Sequence, residues 1–147
     1  MTNFKKVPSI LVATHGTFCK ELIQTVGLLY GEMADVEALP LLPGVSQEEY
    51  QEEMEKALDR YDGDVLIFVD ILGGTPFNTV MKIGRNRPLC AVAGVNANML
   101  LEALDIRDTE RDGAALAEHI EKVAKSSVKN FTPELTRFYE LTQAQGR

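Results

Sequence analysis

Tryptophan is missing, aromatic residues make up only 7% of the 147 positions, and there are just two cysteines, Cys19 and Cys90. Two cysteines, each inside a predicted regular element, cannot form a disulfide framework and suit a reducing compartment. Long apolar runs are also lacking. The strongest, Val65 to Val69, ends at Asp70, far short of the ~20 residues a membrane helix needs. The amino-terminal stretch has two lysines but only a short apolar run, Ile10–Ala13, before Thr14, too short for a signal-peptide core. A soluble, cytoplasmic chain is expected. Basic residues are outnumbered, 15 Lys and Arg against 22 Asp and Glu, for a net charge of −7. With no basic cluster, the chain is a poor candidate for gripping a nucleic-acid backbone. Neither a Walker-A loop nor G-x-G-x-x-G occurs, so the known nucleotide fingerprints are absent.

What is present has the proportions of an ordinary globular protein, with 45% hydrophobic and 25% charged residues. The length fits one domain, large enough to fold without a disulfide or metal. Short β-rich runs alternate with helical periods. Ile10–Ala13 is a compact apolar run. Phe18, Leu22, Val26, Leu29 and Tyr30 follow at helical spacing, and Gly31 can end that helix. Val36–Leu42 is a weaker strand, and Pro40 places it at a sheet edge or a bulge. Ser46 and Glu49 form a capping-box pattern ahead of a helix with Tyr50, Met54, Ala57, Leu58 and Tyr61 on one face.

Val65–Val69 is apolar on both alternating faces, as expected of a strand covered on both sides. Gly73-Gly74 makes a loop, Thr75 is the expected N-cap, and Pro76 the first helical residue, with Phe77, Val80 and Met81 on the core side. A strand at Leu89–Val95, a short helix near Met99–Leu104 and a longer one near Ala114–Lys125 complete the alternation. Val128–Phe131 reads as a short last strand, and Thr132-Pro133-Glu134 opens a final helix to about residue 145. The expected fold is α/β: a mostly parallel sheet with helices on both faces. Ligands bind such sheets beyond the carboxyl ends of the strands. That rule selects Thr14–Thr17, Asp70–Thr75 and Gly94–Asn98.

His15 stands directly after the first strand, beside Gly16. A lone histidine commonly satisfies its ring nitrogens with nearby backbone. Here Asp70 ends what should be an adjacent strand. A carboxylate on one ring nitrogen would fix it as N–H and leave the other as a nucleophile. Asp70 could equally be a solvated strand-end carboxylate or a helix cap. Gly73-Gly74-Thr75-Pro76 can be a tight loop, but successive amides at a helix start also suit an anion, and Thr75 adds a hydroxyl. A nucleophilic histidine, an orienting aspartate and a phosphate-sized cradle on one edge are the requirements for reversible histidine phosphorylation. No metal site is expected, since only His15 and Asp70 converge and metals need three or four ligands. His119 reads as a solvated helical residue and Cys19 as core.

Ile10-Leu-Val-Ala-Thr-His15-Gly, Val69-Asp70-Ile-Leu-Gly-Gly-Thr-Pro-Phe-Asn78, and Ala93-Gly-Val-Asn96 with Met99-Leu100 resemble the IIA component of the mannose-type sugar phosphotransferase system. The likeness runs over about residues 9–130. It implies that residues 1–147 are a single IIA domain that carries a phosphoryl group. The group would arrive from HPr on His15 and leave to a IIB component, which phosphorylates sugar brought in by a membrane permease of IIC and IID components. By the same resemblance, Asp70 bonds the other ring nitrogen, and Gly73, Gly74 and Thr75 hold the phosphoryl group. No cofactor is implied. The family also implies a homodimer in which a short late strand crosses to the other subunit, with Val128–Phe131 as the matching segment.

Two departures stand out. Family members commonly carry proline where this chain has Asn98, in a loop that can shape partner contact. The chain also continues into the helix near 133–145, where some members begin a linker to a IIB domain, so a separate IIA polypeptide is expected. Three other functions compete: the phosphocarrier subunit of a dihydroxyacetone kinase system, a regulatory protein controlled by phosphorylation at His15, and a hydrolase using His15 and Asp70 with water. The Gly-Gly-Thr-Pro-Phe-Asn loop argues against the first.

Overall fold

A computed structural model describes residues 4–146. Four parallel strands form the sheet: β1 (Ser9–His15), β2 (Val36–Leu41), β3 (Val65–Val69) and β4 (Cys90–Ala93). Their order is β2-β1-β3-β4. Six helices alternate with and follow them: α1 (Phe18–Tyr30), α2 (Gln47–Asp59), α3 (Gly74–Ile83), α4 (Ala97–Ile106), α5 (Gly113–Ser127) and α6 (Thr132–Gln145). The expected α/β class is therefore observed, with Pro40 on an edge strand, where its missing N–H leaves no ladder bond unmade.

The two faces of the sheet build two cores. Ile10, Val12, Leu66 and Phe68 point toward α1, α4 and α5 and join Val26, Leu100 and Ile120. Leu11, Ala13, Ile67 and Val69 point the other way, toward α2 and α3, and join Tyr50, Met54 and Val80. This is the period-two alternation of a strand buried on both sides. Within the second core the Tyr50 hydroxyl donates to the Leu39 carbonyl at 2.8 Å, so the buried phenol is satisfied.

Several sequence expectations shift. Gly73, not Thr75, is the residue that precedes α3, and the helix begins at Gly74. Both glycines adopt positive φ, so the chain is already turning into the helix before Thr75. Leu29 and Met81 are exposed, because the stripes of α1 and α3 are narrower than the apolar spacing suggests. Within the single chain the expected last strand does not form: Val128–Phe131 is an exposed connection between α5 and α6, outside the sheet. Its polar groups are engaged locally, Lys129 with Glu134 and the Asn130 side chain with the Thr132 amide. Four exposed residues bury too little apolar surface to hold a strand without an edge to pair with.

At the amino ends of the strands, opposite the candidate loops, Arg107 is only 8% exposed. Its guanidinium donates to the carbonyls of Pro8, Ala34 and Asp35. Asp35 holds a left-handed backbone, φ 55°, and its carbonyl also accepts the Ile10 amide. One side chain thus ties the entries of β1 and β2 to the end of α4. Replacing Arg107 with Met keeps the stem but leaves three carbonyls without their charged donor. A loss of about 2–4 kcal/mol is expected, read as a lower midpoint in urea unfolding, with Arg107→Lys recovering part of it.

Candidate active site

β1 is buried along its length until His15, which emerges at the carboxyl end with its side chain 44% exposed. Two local devices hold it there. Gly16, at φ 57°, turns the chain and donates its amide to the Leu41 carbonyl at 2.8 Å, extending the β1–β2 ladder. The buried Thr14 hydroxyl accepts the Cys19 amide at 2.8 Å, so it caps the start of α1 from within the strand. Asp70 leaves β3 next door, because Ala13 pairs with Val69.

One carboxylate oxygen of Asp70 receives two donors from the same residue. Oδ2 accepts the His15 backbone amide at 3.0 Å and lies 2.9 Å from His15 Nδ1. Oδ1 accepts the Ile71 amide at 3.1 Å. Burial pushes the Asp70 carboxyl up, but the His15 amide and the ring together outweigh it and hold it below the ordinary aspartate value. An ionised carboxylate only accepts, so Nδ1 carries the proton of this contact and the neutral ring keeps its lone pair on Nε2.

That nitrogen faces the start of α3. A β-carbon built on Gly74 would lie 2.9 Å from His15 Cε1 and 3.3 Å from Nε2. The first turn of α3 therefore approaches the ring as closely as a residue without a side chain allows. The helix N-terminus brings unpaired amides and partial positive charge to the space beside Nε2. On the other side, His15, Gly16 and Thr75 share an open recess of about 360 Å³ with Leu41, Leu42, Pro43 and Val45. This wall follows β2, and its loop was not among the three selected from sequence. The signal was Pro43-Gly44 after a strand adjacent to β1. Phe18, expected in the core, is 46% exposed, and Ile71 and Leu72 are 53% and 77% exposed on the loop after Asp70. The rim is thus polar at one point and apolar around it.

The geometry brings together all five residues singled out beforehand: His15 and Asp70 in contact, Gly73, Gly74 and Thr75 beside them. Among the described residues no third His, Cys, Asp or Glu joins the pair to make a metal cluster. His119 is elsewhere, its Nε2 2.8 Å from Glu102 across α4 and α5, so it is paired rather than merely solvated. Asn98 is exposed in the first turn of α4, whose Asn96 side chain caps the Met99 amide at 3.0 Å. No helix among the described residues is long and apolar enough to cross a membrane.

The fold is a small parallel α/β domain with a histidine–aspartate pair at the sheet's crossover point. The family model for the PTS system fructose IIA component, EIIA-man, matches residues 9–124, and the chain belongs to that family. A fructose-specific EIIA component of Bacillus subtilis is 29% identical, with 86% of this chain and 99% of the relative covered. The mannose-specific EIIAB component of Escherichia coli K12 is 35% identical over 69% of this chain, which spans only 32% of that longer protein. Among solved structures, an EIIA of Streptococcus agalactiae superposes with a TM-score of 0.80 at 21% identity, covering 85% of this chain and 98% of its own. A IIA protein associated with the fucose utilization operon of Streptococcus pneumoniae gives 0.78 at 27% identity, covering 92% and 99%.

Two outcomes follow from the site. Gly74→Ala places a β-carbon against the ring at a backbone angle, φ 80°, that side chains rarely adopt. The ring should move off Asp70, seen as changed imidazole shifts in NMR spectra, while the far-ultraviolet circular dichroism stays unchanged. For Asp70, whose folded pKa is depressed, the carboxylate's contribution to stability is present above the unfolded value near 4 and is lost as pH falls through the folded one. Asp70→Asn should therefore be less stable by on the order of 1 kcal/mol at pH 7. The gap to the parent should close in urea titrations below about pH 4.

Proposed function

We propose that the chain is the phosphoryl carrier of a sugar phosphotransferase system and that His15 Nε2 is the atom that carries the group. The observation behind this reading is the 2.9 Å contact of Nδ1 with Asp70 Oδ2, which leaves Nε2 facing a side-chain-free helix start. The Nε2 lone pair attacks the phosphorus of a phosphohistidine on HPr. The donor's N–P bond breaks with its electron pair returning to the donor ring, and a new N–P bond forms at His15. The His15 ring, now bonded at both nitrogens, is cationic while Nδ1 keeps its proton, and the Asp70 carboxylate balances that charge. Amides at the start of α3, including those of Gly74 and Thr75, and the Thr75 hydroxyl stand where they can receive the phosphoryl oxygens. Transfer of this kind asks the protein mainly for position and charge.

The onward acceptor in this reading is a IIB component, which serves uptake of a sugar through a IIC/IID permease, and the work is done in the cytoplasm. The open recess and apolar rim around His15 favour protein partners, since a second histidine must reach the phosphorus from the far side. Residues 1–147 are read as one IIA domain, supported by two cores that share one sheet. A homodimer in which Val128–Phe131 pairs with β4 of the other copy is part of the same reading. β4 is an edge of the sheet, and an open edge invites a strand.

Incubation with enzyme I, HPr and phosphoenolpyruvate should place one acid-labile, alkali-stable phosphoryl group on the chain, located by mass spectrometry on His15. His15→Ala should accept none while keeping the parent's circular dichroism. Undiminished labelling of that variant would reject His15 as the carrier. Phosphate released without HPr would favour the hydrolase.

A further inference from the structure

Thr14 stands one place before the histidine and faces the other way. Alternation along β1 turns its side chain to the side of Ile10 and Val12, toward α1, where it is fully buried. His15 turns to the other side, toward the start of α3. A hydroxyl in a dry core needs a partner. The Thr14 Oγ1 accepts the Cys19 amide at 2.8 Å, and Cys19 is fully buried too. Helices are ordinarily capped by the residue just before the first turn. Here that residue, Thr17, makes no side-chain cap bond. The start of α1 is held instead by a strand residue, on the far side of His15 in the sequence.

This bond closes a short loop of chain with His15 inside it. Three neighbouring residues are then held by three different elements: Thr14 by α1, the His15 amide by Asp70 at the end of β3, and Gly16 by the Leu41 carbonyl of β2. At the entry of the β1–β3 pair the Ser9 amide donates to the Asp64 carbonyl. At the exit the same register offers Asp70 to the His15 amide, and the carboxylate takes the bond. The Asp70 bonds lie at the rim beside a half-exposed ring, where water competes for them. The Thr14 bond lies in the core, where water does not. Thr14 is therefore the dry anchor of the turn that carries the imidazole.

We propose that Thr14 is a positioning residue for phosphoryl transfer: through the Cys19 amide, its hydroxyl holds the turn that keeps the His15 ring on Asp70. This rests on the carrier reading above and extends it to a side chain buried away from the reacting atoms. With the turn released, the ring swings away from Asp70 Oδ2. The proton is then no longer fixed on Nδ1, and part of the population carries it on Nε2, where it occupies the lone pair that must attack. Transfer between two histidines depends mainly on position, and a misplacement on the order of 1 Å lowers such a rate by roughly 10²-fold.

Thr14→Val exchanges the hydroxyl for a methyl group at nearly equal volume and removes the acceptor, whereas Thr14→Ser keeps it. In nitrogen-15 NMR spectra the parent and the serine variant should hold the His15 proton on Nδ1, and the valine variant should show a mixture of tautomers. In transfer from phosphorylated HPr, the valine variant should be slower by at least about tenfold, with the half-saturating HPr concentration unchanged, and serine should recover most of the rate. A valine variant that is only less stable in urea, with the parent's tautomer and rate, would overturn the positioning role. The parent supplies a test that needs no variant: the Cys19 amide should exchange with deuterium far more slowly than the amide of the exposed Phe18 beside it. Equal exchange would show that the bond does not hold in solution and would also overturn the proposal, even if the valine variant failed to fold. A parent that accepts no phosphoryl group would overturn the carrier reading and the transfer role together, whereas a valine variant that transfers like the parent would overturn Thr14 alone.

Discussion

Parallel pairing of Ala13 with Val69 decides what stands at the rim of the sheet. Because β1 and β3 leave the ladder side by side, the residues one and two places beyond that pair, Asp70 and His15, come within a hydrogen bond of each other. The His15 amide shares the same carboxylate oxygen as the ring, so backbone and side chain are fixed together. A slip of one residue would send the side chains of the slipped strand into the opposite cores and separate the pair. The two cores that flank the sheet thus set the position of the imidazole, and the chemistry inherits its precision from packing. β2 and β3 lie on opposite sides of β1, which makes the β1–β3 boundary the crevice where sheets of this type bind ligands.

Most of this arrangement was legible in residue order. Burial of Val65–Val69 on both faces, Pro40 as an edge marker and the capping residue Ser46 all appear in place, the last with its hydroxyl accepting the Glu49 amide at 3.1 Å. The convergence of His15, Asp70 and the loop from Gly73 to Thr75 was legible because glycine, histidine and aspartate interrupt apolar runs at strand ends. What escaped was context. Leu41, Leu42, Pro43 and Val45 look like an ordinary strand end and turn, and only the β2–β1 neighbour relation turns them into a wall beside His15. Phe18 keeps helical spacing with Leu22, yet it sits at the first residue of α1, where the apolar stripe has not yet met the sheet. Val128–Phe131 has strand-like residues, but a strand is a relation between two segments, and within one chain nothing pairs with it.

The ring is held from one side by charge and from the other by the absence of a side chain. Asp70 is largely buried and ionised, and it pays for its desolvation with three N–H contacts, two of them from His15. At Gly74 a single methyl group would fill space beside the ring that the structure keeps open. The pair therefore leaves little freedom to the imidazole while leaving Nε2 reachable.

Arg107 and His15 stand at opposite ends of the same strand, separated by about 20 Å of β1 from Ser9 to His15. The clamp at the amino end gathers three carbonyls and has no atom near the rim. Sites so far apart, with no shared partner, contribute to stability independently. The fold accordingly separates two kinds of tolerance. Drift in sequence around the clamp spends or adds stability without touching the imidazole. The loops at the other end can be rewritten for a new docking partner as long as that reserve lasts.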